Sequence, residues 1–397
     1  MDDPSQTLAV KSLPPSADRH GTIVPVETEN AREFPRPTAQ EFQNPQLNLF
    51  QDFLCNTEGE RNQLSHVIDL WDHVPRYCIS RQAMNRSRHG GKFLSEHVAE
   101  FQYKGRTFKR VLFPAKVRDT SGVYRDYFAS ANEELVEDAL RKLAAEQNSG
   151  YFSKGHHRSG VIFSLHMLRE ELKRRGHTRS YQEIVLSLNI LSRSSIEISA
   201  PVERDLPAFK INSTYLPTLT VVSRDNWTRD PKARWMVQFH ALVTASIDQV
   251  TYRQYNYHVM MSHNTQLTRW LHKQLALKYT FAGITEPFEI RFSTIKRDSG
   301  LLEGYSRERK AIEAVAEALG ELKKNSVLGH IKREDIRGVR GKILDVVFTL
   351  MPSMDFIRDT KAGNKRLQQA RALTTPNMVG IGGESFKHGS GKRNGRW

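Results

Sequence analysis

Apolar residues in the first half of the folded chain recur with two different periods. Alternation in steps of two predicts a pair of strands at 101–103 and 108–113, joined by a tight turn. A step of 3.6 residues then predicts a helix that begins after Ser130, which has capping-box spacing with Glu133. The short apolar strand Val161–Phe163 follows, so the pattern indicates a mixed α and β fold.

A helix-turn-helix is predicted directly after that strand. Its first helix begins at Ser164 and ends at Gly176, a residue suited to close a helix. Its second helix begins with the capping-box pair Ser180 and Glu183. Two helices joined by a short turn that contains glycine are typical of a DNA-binding unit. The strand-like segments expected to form its hairpin wing are 194–200 and 208–213.

The second half of the chain repeats this order of elements. Its longest feature is an amphipathic helix from Arg307 to Lys324, followed by a strand pair that we interpret as a second wing. The predicted elements are a helix at 264–279, a strand at 288–292, a short helix at 293–299, a turn at 300–304, the helix at 307–324 and a hairpin of 327–333 with 342–350. Two tandem winged-helix domains of the α+β class are therefore expected.

The second helix of each unit carries side chains suited to DNA. Arginine, glutamine and asparagine make bidentate contacts with base edges in the major groove. In the first unit these are Arg179, Gln182, Asn189 and Arg193, and in the second they are Arg307 and Lys310, with the small residues Ala311 and Ala314 permitting close approach. Any solvated helix also shows polar residues opposite its buried stripe, so this alternative stays open for each position.

The second wing is expected to contact the DNA backbone. Five cations belong to its predicted tip, namely Lys332, Arg333, Arg337, Arg340 and Lys342. The alternative is an exposed basic hairpin without a partner.

Composition favours a polyanionic partner. The chain has 397 residues, 59 Lys and Arg and 44 Asp and Glu, for a net charge of +15. Residues 61–352 hold 46 basic and 31 acidic side chains, so the excess lies in the part predicted to fold. A shaped basic surface therefore fits better than a sticky tail.

Other features exclude several classes of protein. Cys55 and Cys78 cannot form a disulfide framework, and no Cys and His cluster has zinc-ligand spacing. The first twenty residues lack the apolar core of a signal peptide, and no run of apolar residues is long enough for a membrane span. We expect a cytoplasmic bacterial protein that binds no metal and no cofactor.

The first sixty residues contain seven of the sixteen prolines and lack a sustained apolar period. We therefore expect 1–74 to be a largely disordered arm. The compact apolar cluster at 46–50 resembles peptides that bind the bacterial sliding clamp, through Gln46, Leu47, Leu49 and Phe50. The alternative is that Phe50 and its neighbours begin the first folded helix. The other predicted boundaries are 75–225 and 226–352 for the winged-helix domains and 353–397 for a basic flexible tail.

The order of elements resembles the TrfA-type plasmid replication initiators, most closely in the segment RKAIEAVAEALGELKKNSVLGHI. QLNLF also matches the clamp-docking motif of that family. The resemblance implies binding to direct repeats (iterons) at a double-stranded origin, opening of an adjacent AT-rich segment, and recruitment of the sliding clamp, the host initiator and the replicative helicase. It also implies a monomer and dimer equilibrium and a role in plasmid copy control.

Two other functions remain as alternatives. A rolling-circle nickase would need two metal-binding histidines that flank one apolar residue, but His156 and His157 are adjacent, and Tyr252, Tyr255 and Tyr257 fit a strand better than a catalytic site. No Walker A loop occurs either, so we expect no catalytic residues and no enzymatic activity. The second alternative is a winged-helix transcriptional repressor, including a repressor of its own gene, without a replication role.

Overall fold

The computed structural model describes residues 58–88, 93–118, 122–146, 149–153, 155–203, 206–222 and 233–374, except for the side chains at 58 and 340. The chain first forms α1 (Glu58–Gln63), β1 (Leu64–Ile68), α2 (Asp69–His73), α3 (Arg81–Arg88), β2 (His97–Tyr103), β3 (Arg106–Phe113), β4 (Ala115–Arg118), β5 (Tyr124–Tyr127), α4 (Ala131–Ala145), β6 (Gly150–Ser153) and β7 (Arg158–Phe163).

The next elements are α5 (Leu165–Arg174), α6 (Tyr181–Arg193), β8 (Ser195–Ala200), β9 (Phe209–Thr214), β10 (Thr218–Val222), β11 (Arg234–Gln238), α7 (Ala241–Asp248), β12 (Tyr252–Asn256) and α8 (Tyr257–Met261). After a short connection come α9 (Gln266–Lys278), β13 (Phe288–Arg291), α10 (Phe292–Ser299), α11 (Glu308–Lys324), β14 (Leu328–Arg337), a 3₁₀ turn (Val339–Gly341), β15 (Ile343–Pro352) and α12 (Met354–Thr374). The α+β class is confirmed.

Two hydrophobic cores divide these elements into two lobes. The first core extends from Val67 to Met261 and also includes Leu277, Leu367 and Ala370, while the second extends from Leu267 to Ile357. We call 58–261 lobe 1 and 266–352 lobe 2. The predicted boundary at 225 is therefore wrong. Strand β11 pairs with β7, and its Trp235 and Val237 are buried in the first core. Strand partners far apart in sequence cannot be identified from periodicity.

Lobe 1 is a winged helix, with helix α4, strand β7, helices α5 and α6, and strands β10 and β11 in chain order. Strand β11 lies between β7 and β10 in the sheet. The capping boxes are confirmed, because Glu133 accepts the backbone N–H of Ser130 at 2.9 Å and Glu183 accepts that of Ser180 at 2.8 Å. The predicted wing is wrong: β8 and β9 extend the separate sheet of β2 and β3, and the wing strands are β10 and β11.

Lobe 2 repeats this topology with helix α9, strand β13, helices α10 and α11, and strands β14 and β15. Strand β15 lies between β13 and β14, as β11 lies between β7 and β10. Gly300, which ends α10, has φ of 62°, a conformation that glycine adopts without steric cost. All six predicted elements of this half are found, although β14 extends to Arg337 rather than 333.

Two segments predicted to be unfolded belong to the fold. Within 58–74, β1 pairs with β12, and Val67 and Trp71 are fully buried. Within 353–397, residues Met354–Thr374 form α12, so the interpretation as a flexible tail is wrong there. Helix α12 adds Ile357 to the second core and Leu367 to the first. In both segments the packing partners lie in elements that are distant in the sequence.

A buried ion cluster joins the first helices of the two winged helices. The Nζ of Lys273 in α9 lies 2.5 Å from Oδ2 of Asp138 and 3.1 Å from Oε1 of Glu134, both in α4. Gln266, also in α9, donates to Glu134 at 2.8 Å. All three ionic side chains are almost inaccessible to water. Burial opposes the charge on Lys273, yet Asp138 and Glu134 raise its pKa above the usual value, so the ammonium stays charged.

Asp72 is the hub of this cluster on the lobe 1 side. Both of its carboxylate oxygens contact the guanidinium of Arg141, at 2.6 and 3.0 Å, and Arg76 lies 3.2 Å away. Its backbone carbonyl accepts a hydrogen bond from Gln274 of α9 at 3.0 Å. Burial alone would raise the pKa of Asp72, but Arg141, Arg76 and Lys273 hold it well below its usual range.

A second polar contact crosses the connection between the lobes. His263 Nε2 lies 2.9 Å from His272 Nδ1, and Asn325 at the end of α11 donates to His263 Nδ1 at 2.9 Å. Burial lowers the pKa of His263 to about 4 and that of His272 well below its usual value. In lobe 1, burial lowers the pKa of His240 to about 3.

Replacing Lys273 by methionine should destabilise the protein strongly. Removing one partner of a buried ion pair leaves uncompensated charge and costs about 3–5 kcal/mol. Urea unfolding followed by circular dichroism measures this loss. The matched control is Lys210→Met, because the Lys210–Glu197 pair is largely exposed and should contribute less than about 1 kcal/mol. Equal stability of the two variants would contradict a central role for Lys273.

The buried histidines should make the protein less stable as the pH falls from about 6.5 towards 4. Their pKa is about 6.5 in the unfolded chain and lower in the folded protein, so only the unfolded state takes up protons in this window. Each such histidine contributes a slope of up to about 1.4 kcal/mol per pH unit. His240→Asn should reduce the slope measured by urea unfolding between pH 7 and 5, whereas His166→Asn at an exposed position should not. A slope of zero in the parent protein would contradict this account.

Candidate nucleic-acid interface

The start of α11 in lobe 2 is a cationic, solvent-exposed helix end. Arg307 is the N-cap residue, has extended backbone, and its side chain makes no capping hydrogen bond. Arg309 is 89 % exposed, and Lys310 is also exposed. Both of these donate to Glu313, at 3.1 and 3.0 Å, and these hydrogen bonds, that from Lys310 foremost, lower the pKa of Glu313. The helix dipole also favours anions at this end.

The two small residues predicted near this end differ in environment. Ala311 is buried in the second core, so its predicted place on the DNA-facing side is wrong. Ala314 is half-buried at the surface of α11. Farther along, Glu321 accepts hydrogen bonds from Asn264 and Thr268 rather than facing solvent alone. Exposed cations thus lie at both ends of α11, in its first turns and at Lys323 and Lys324 in its last turn.

The second wing is longer than predicted, which moves two of its cations. Lys332 and Arg333 lie inside β14, opposite Thr349 and Phe348, and not at the tip. Asp335 accepts from Arg333 at 2.8 Å and from Arg337 at 3.1 Å, which holds both guanidinium groups along one face. Hydrogen bonds from Arg333 first, and the charges of both arginines, lower the pKa of Asp335.

The remaining wing cations lie towards the apex. Lys342 is exposed beside the turn Val339–Gly341, whose Val339 is also exposed. The backbone of Arg340 lies in this turn, and its side chain is outside the described part of the chain. Lys332, which lies farther from the apex within β14, is also exposed, and the carboxylate of Glu334 lies 3.9 Å from its ammonium.

The corresponding helix in lobe 1, α6, is less basic. Arg179 lies in the turn before α6 and donates to Asn132 at 2.9 Å, which directs it to the start of α4. Gln182 is exposed in the first turn. Asn189 donates to the carbonyl of Val185 one turn earlier, and Arg193 at the last turn is exposed and donates to the Lys116 carbonyl at 3.4 Å. The four predicted residues thus do not converge on one patch.

Arg309 is a surface cation that the sequence analysis missed. The run Arg307-Glu308-Arg309-Lys310 was the available signal, but the helical wheel favoured only positions directly opposite the buried stripe. The predicted clamp-like peptide, with Gln46, Leu47, Leu49 and Phe50, lies outside the described residues. The segment 223–232, between the strands β10 and β11, lies outside them too.

The tyrosines considered for nicking chemistry are buried. Tyr252, Tyr255 and Tyr257 belong to the first core, and burial raises the pKa of Tyr255 and Tyr257 well above the usual value. Among the described residues, no group of three or more His, Cys, Asp or Glu side chains is placed to hold a metal ion. In the same part of the chain, no helix has both the length and the apolar character to cross a membrane.

Comparisons with known proteins give distant likenesses only. No family model and no curated protein matches the chain. Among solved structures it is similar to domains 2 and 3 of RctB, as a selenomethionine derivative, with a TM-score of 0.42, 10% identity, and coverage of 66% of this chain and 93% of that one. A second structure of RctB domains 2–3 has a TM-score of 0.40 and 10% identity, with coverage of 68% of this chain and 96% of that one. A Pi initiator protein in complex with iteron DNA has a TM-score of 0.32 and 12% identity, with coverage of 74% of this chain and 99% of that one. Because these likenesses are so distant, we assign the winged-helix fold from the strand order of this chain alone.

Removing cations from the two parts of lobe 2 should affect duplex binding differently. Lys332→Gln should weaken binding to all sequences alike and reduce the slope of log affinity against log salt by about one, because a phosphate contact is lost. Arg307→Ala should instead reduce the ratio of the affinity for the preferred duplex to the affinity for a random duplex, because a base contact is lost. Fluorescence anisotropy over a salt series measures both effects, with Lys210→Gln in lobe 1 as the exposed-lysine control. Equal effects of Lys332→Gln and Lys210→Gln would contradict the assignment of the wing.

Proposed function

We propose that the chain binds double-stranded DNA in a sequence-specific way through both winged helices, and that it initiates plasmid replication at direct repeats of its origin. The observation that carries the DNA-binding part is the placement of the exposed Arg307, Arg309 and Lys310 at the start of the second reading helix, α11. Readers of the helix-turn-helix class meet base edges with this end of the helix.

The wing of lobe 2 supplies the backbone contacts in this proposal. Lys332, Arg337 and Lys342 are exposed along a hairpin that follows α11 directly in the chain. Phosphate contacts of this kind fix register and contribute most of the salt-dependent affinity. Glu334 and Asp335 interrupt the positive charge, so the wing contacts a limited number of phosphates.

Lobe 1 contributes a smaller share of specificity. Gln182 is exposed in the first turn of α6 and has the side-chain chemistry to read adenine. Arg179 is engaged by Asn132, so it would contact DNA only after exchanging that partner. We therefore assign the stronger sequence preference to lobe 2.

The replication role rests on the sequence, through QLNLF at 46–50 and the TrfA-type resemblance. In this proposal Leu47, Leu49 and Phe50 occupy the apolar pocket of the sliding clamp, while the host initiator and replicative helicase join the bound origin. The protein exchanges between monomer and dimer, regulates copy number, acts in the bacterial cytoplasm and needs no catalytic residue, metal or cofactor.

A plasmid replication assay tests the function. A plasmid that carries this gene and its flanking direct repeats, with no other initiator, should be maintained in a suitable host. Loss of the plasmid, with repression of a promoter at the repeats intact, would overturn the initiator role and favour the repressor.

The clamp peptide has a separate test. Leu49→Ala combined with Phe50→Ala should abolish capture of the chain by immobilised sliding clamp, because the apolar anchors are removed, and should leave repeat binding unchanged. Phe34→Ala, at an aromatic residue outside QLNLF in the same arm, is the matched control. Retention of the double variant by the clamp would contradict the docking claim.

A further inference from the structure

The exposed face of the β4–β5 hairpin in lobe 1 has no part in the function proposed above. Ala115 and Val117 of β4 are buried, while Lys116 and Arg118 between and after them point to solvent. Lys116 lies opposite Asp126, and Arg118 lies opposite Tyr124. Directly opposed residues of an antiparallel pair share one face. The hairpin therefore presents two cations and a tyrosine on its solvent side.

Two large aromatic rings are open to water on this face. Phe93 is 77 % exposed and Tyr124 is 61 % exposed. The ammonium of Lys116 lies over both rings, 5.3 Å from the ring centroid of Phe93 and 6.0 Å from that of Tyr124. A base on either ring would therefore stack on the opposite face or displace this cation. Neither ring belongs to a hydrophobic core. We call Phe93, Lys116, Arg118 and Tyr124 the aromatic–basic surface.

Another cation borders the aromatic–basic surface. Arg88 of α3 stacks on Tyr127 at 4.7 Å and donates to the Asp126 carbonyl. Among the described residues of the hairpin, the one carboxylate on this side is that of Asp126, which accepts the backbone N–H of Leu94 at 3.1 Å. Positive charge therefore predominates around the two rings.

We propose that the aromatic–basic surface binds single-stranded DNA. Bases stack on the rings of Phe93 and Tyr124, and the phosphates between them contact Lys116 and Arg118. Every base has a π-face, so this binding is tolerant of sequence and depends on salt. A duplex would gain little here, because its bases are already stacked on one another. The proposal goes beyond duplex recognition, since it names a second ligand and a second surface.

The position of this surface relates the two ligands. Arg193 at the end of α6 donates to the backbone carbonyl of Lys116, so the hairpin lies beside the reading helix of lobe 1. A strand on the hairpin and a duplex on α6 would be neighbours on one lobe. The surface thus fits DNA that is separated next to a bound duplex.

The test compares Phe93→Ala combined with Tyr124→Ala against the parent full-length chain. The probes are fluorescein-labelled oligothymidylate of 20 nucleotides and a duplex of the direct repeats, with binding measured by fluorescence anisotropy. The double variant should bind oligothymidylate about tenfold more weakly or worse, since each stacked base contributes about 1–3 kcal/mol. Its affinity for the duplex should stay unchanged. Phe281→Ala, which removes a 57 % exposed ring from lobe 2, should change neither.

A second variant keeps the stacking and reports on it. Tyr124→Trp should retain oligothymidylate binding. Saturating oligothymidylate should quench the emission of the added indole, so the variant should lose more tryptophan fluorescence than the parent protein does. Unchanged oligothymidylate affinity of the double alanine variant would overturn the proposal. Loss of duplex and single-strand affinity by the same factor would overturn it too, and would assign the surface to duplex binding. Absent duplex binding by the parent protein would instead contradict the proposed function.

Discussion

Lys273 and the two carboxylates that surround it, Glu134 and Asp138, are the contact on which the arrangement of the two lobes depends. An ammonium in a nearly dry environment is tolerated only with close and correctly oriented partners, since the cost of desolvation is several kcal/mol per ion. The pair therefore tolerates little displacement. Because α4 and α9 are the first helices of the two winged helices, an ion pair between them fixes one unit against the other.

The neighbouring contacts reinforce this constraint from both sides. Asp72 binds Arg141 with its carboxylate and Gln274 with its backbone carbonyl, so one residue connects both lobes. Helix α12 then adds apolar side chains to both cores, through Ile357 and Leu367. The two reading helices, α6 and α11, are consequently parts of one body, and the spacing between the DNA segments they meet is set by the protein.

Local signals in the sequence predicted the elements well. The capping boxes of Ser130 and Ser180 start helices where expected, and the amphipathic stripe of α11 is correct to within one residue at its start. Capping and helix periodicity are properties of residues three or four positions apart, and these can be read from one sequence.

The errors concern long-range pairing. The sequence predicts β8 and β9 as the first wing, yet β8 pairs with β3 and β9 pairs with β8. The strand that pairs with β7 is β11. The excess of basic residues in 353–397 predicts a flexible tail, but four side chains of 353–374 are buried in one of the two cores. Ala311 was placed on the DNA side because alanine is equally suited to a helix surface and a core. Burial of such residues is decided by partners that periodicity does not identify.

The rigid arrangement of the two lobes is tested most directly by the spacing of their binding sites. The full-length protein is first used to select a duplex from a random library, and the segments protected by lobe 1 and by lobe 2 are mapped. Five base pairs, about half a helical turn, are then inserted between the two segments. A rigid body predicts that affinity drops to that of a single lobe, because one reading helix then faces the wrong side of the duplex. Unchanged affinity for the altered duplex would show that the lobes move independently and would contradict the account.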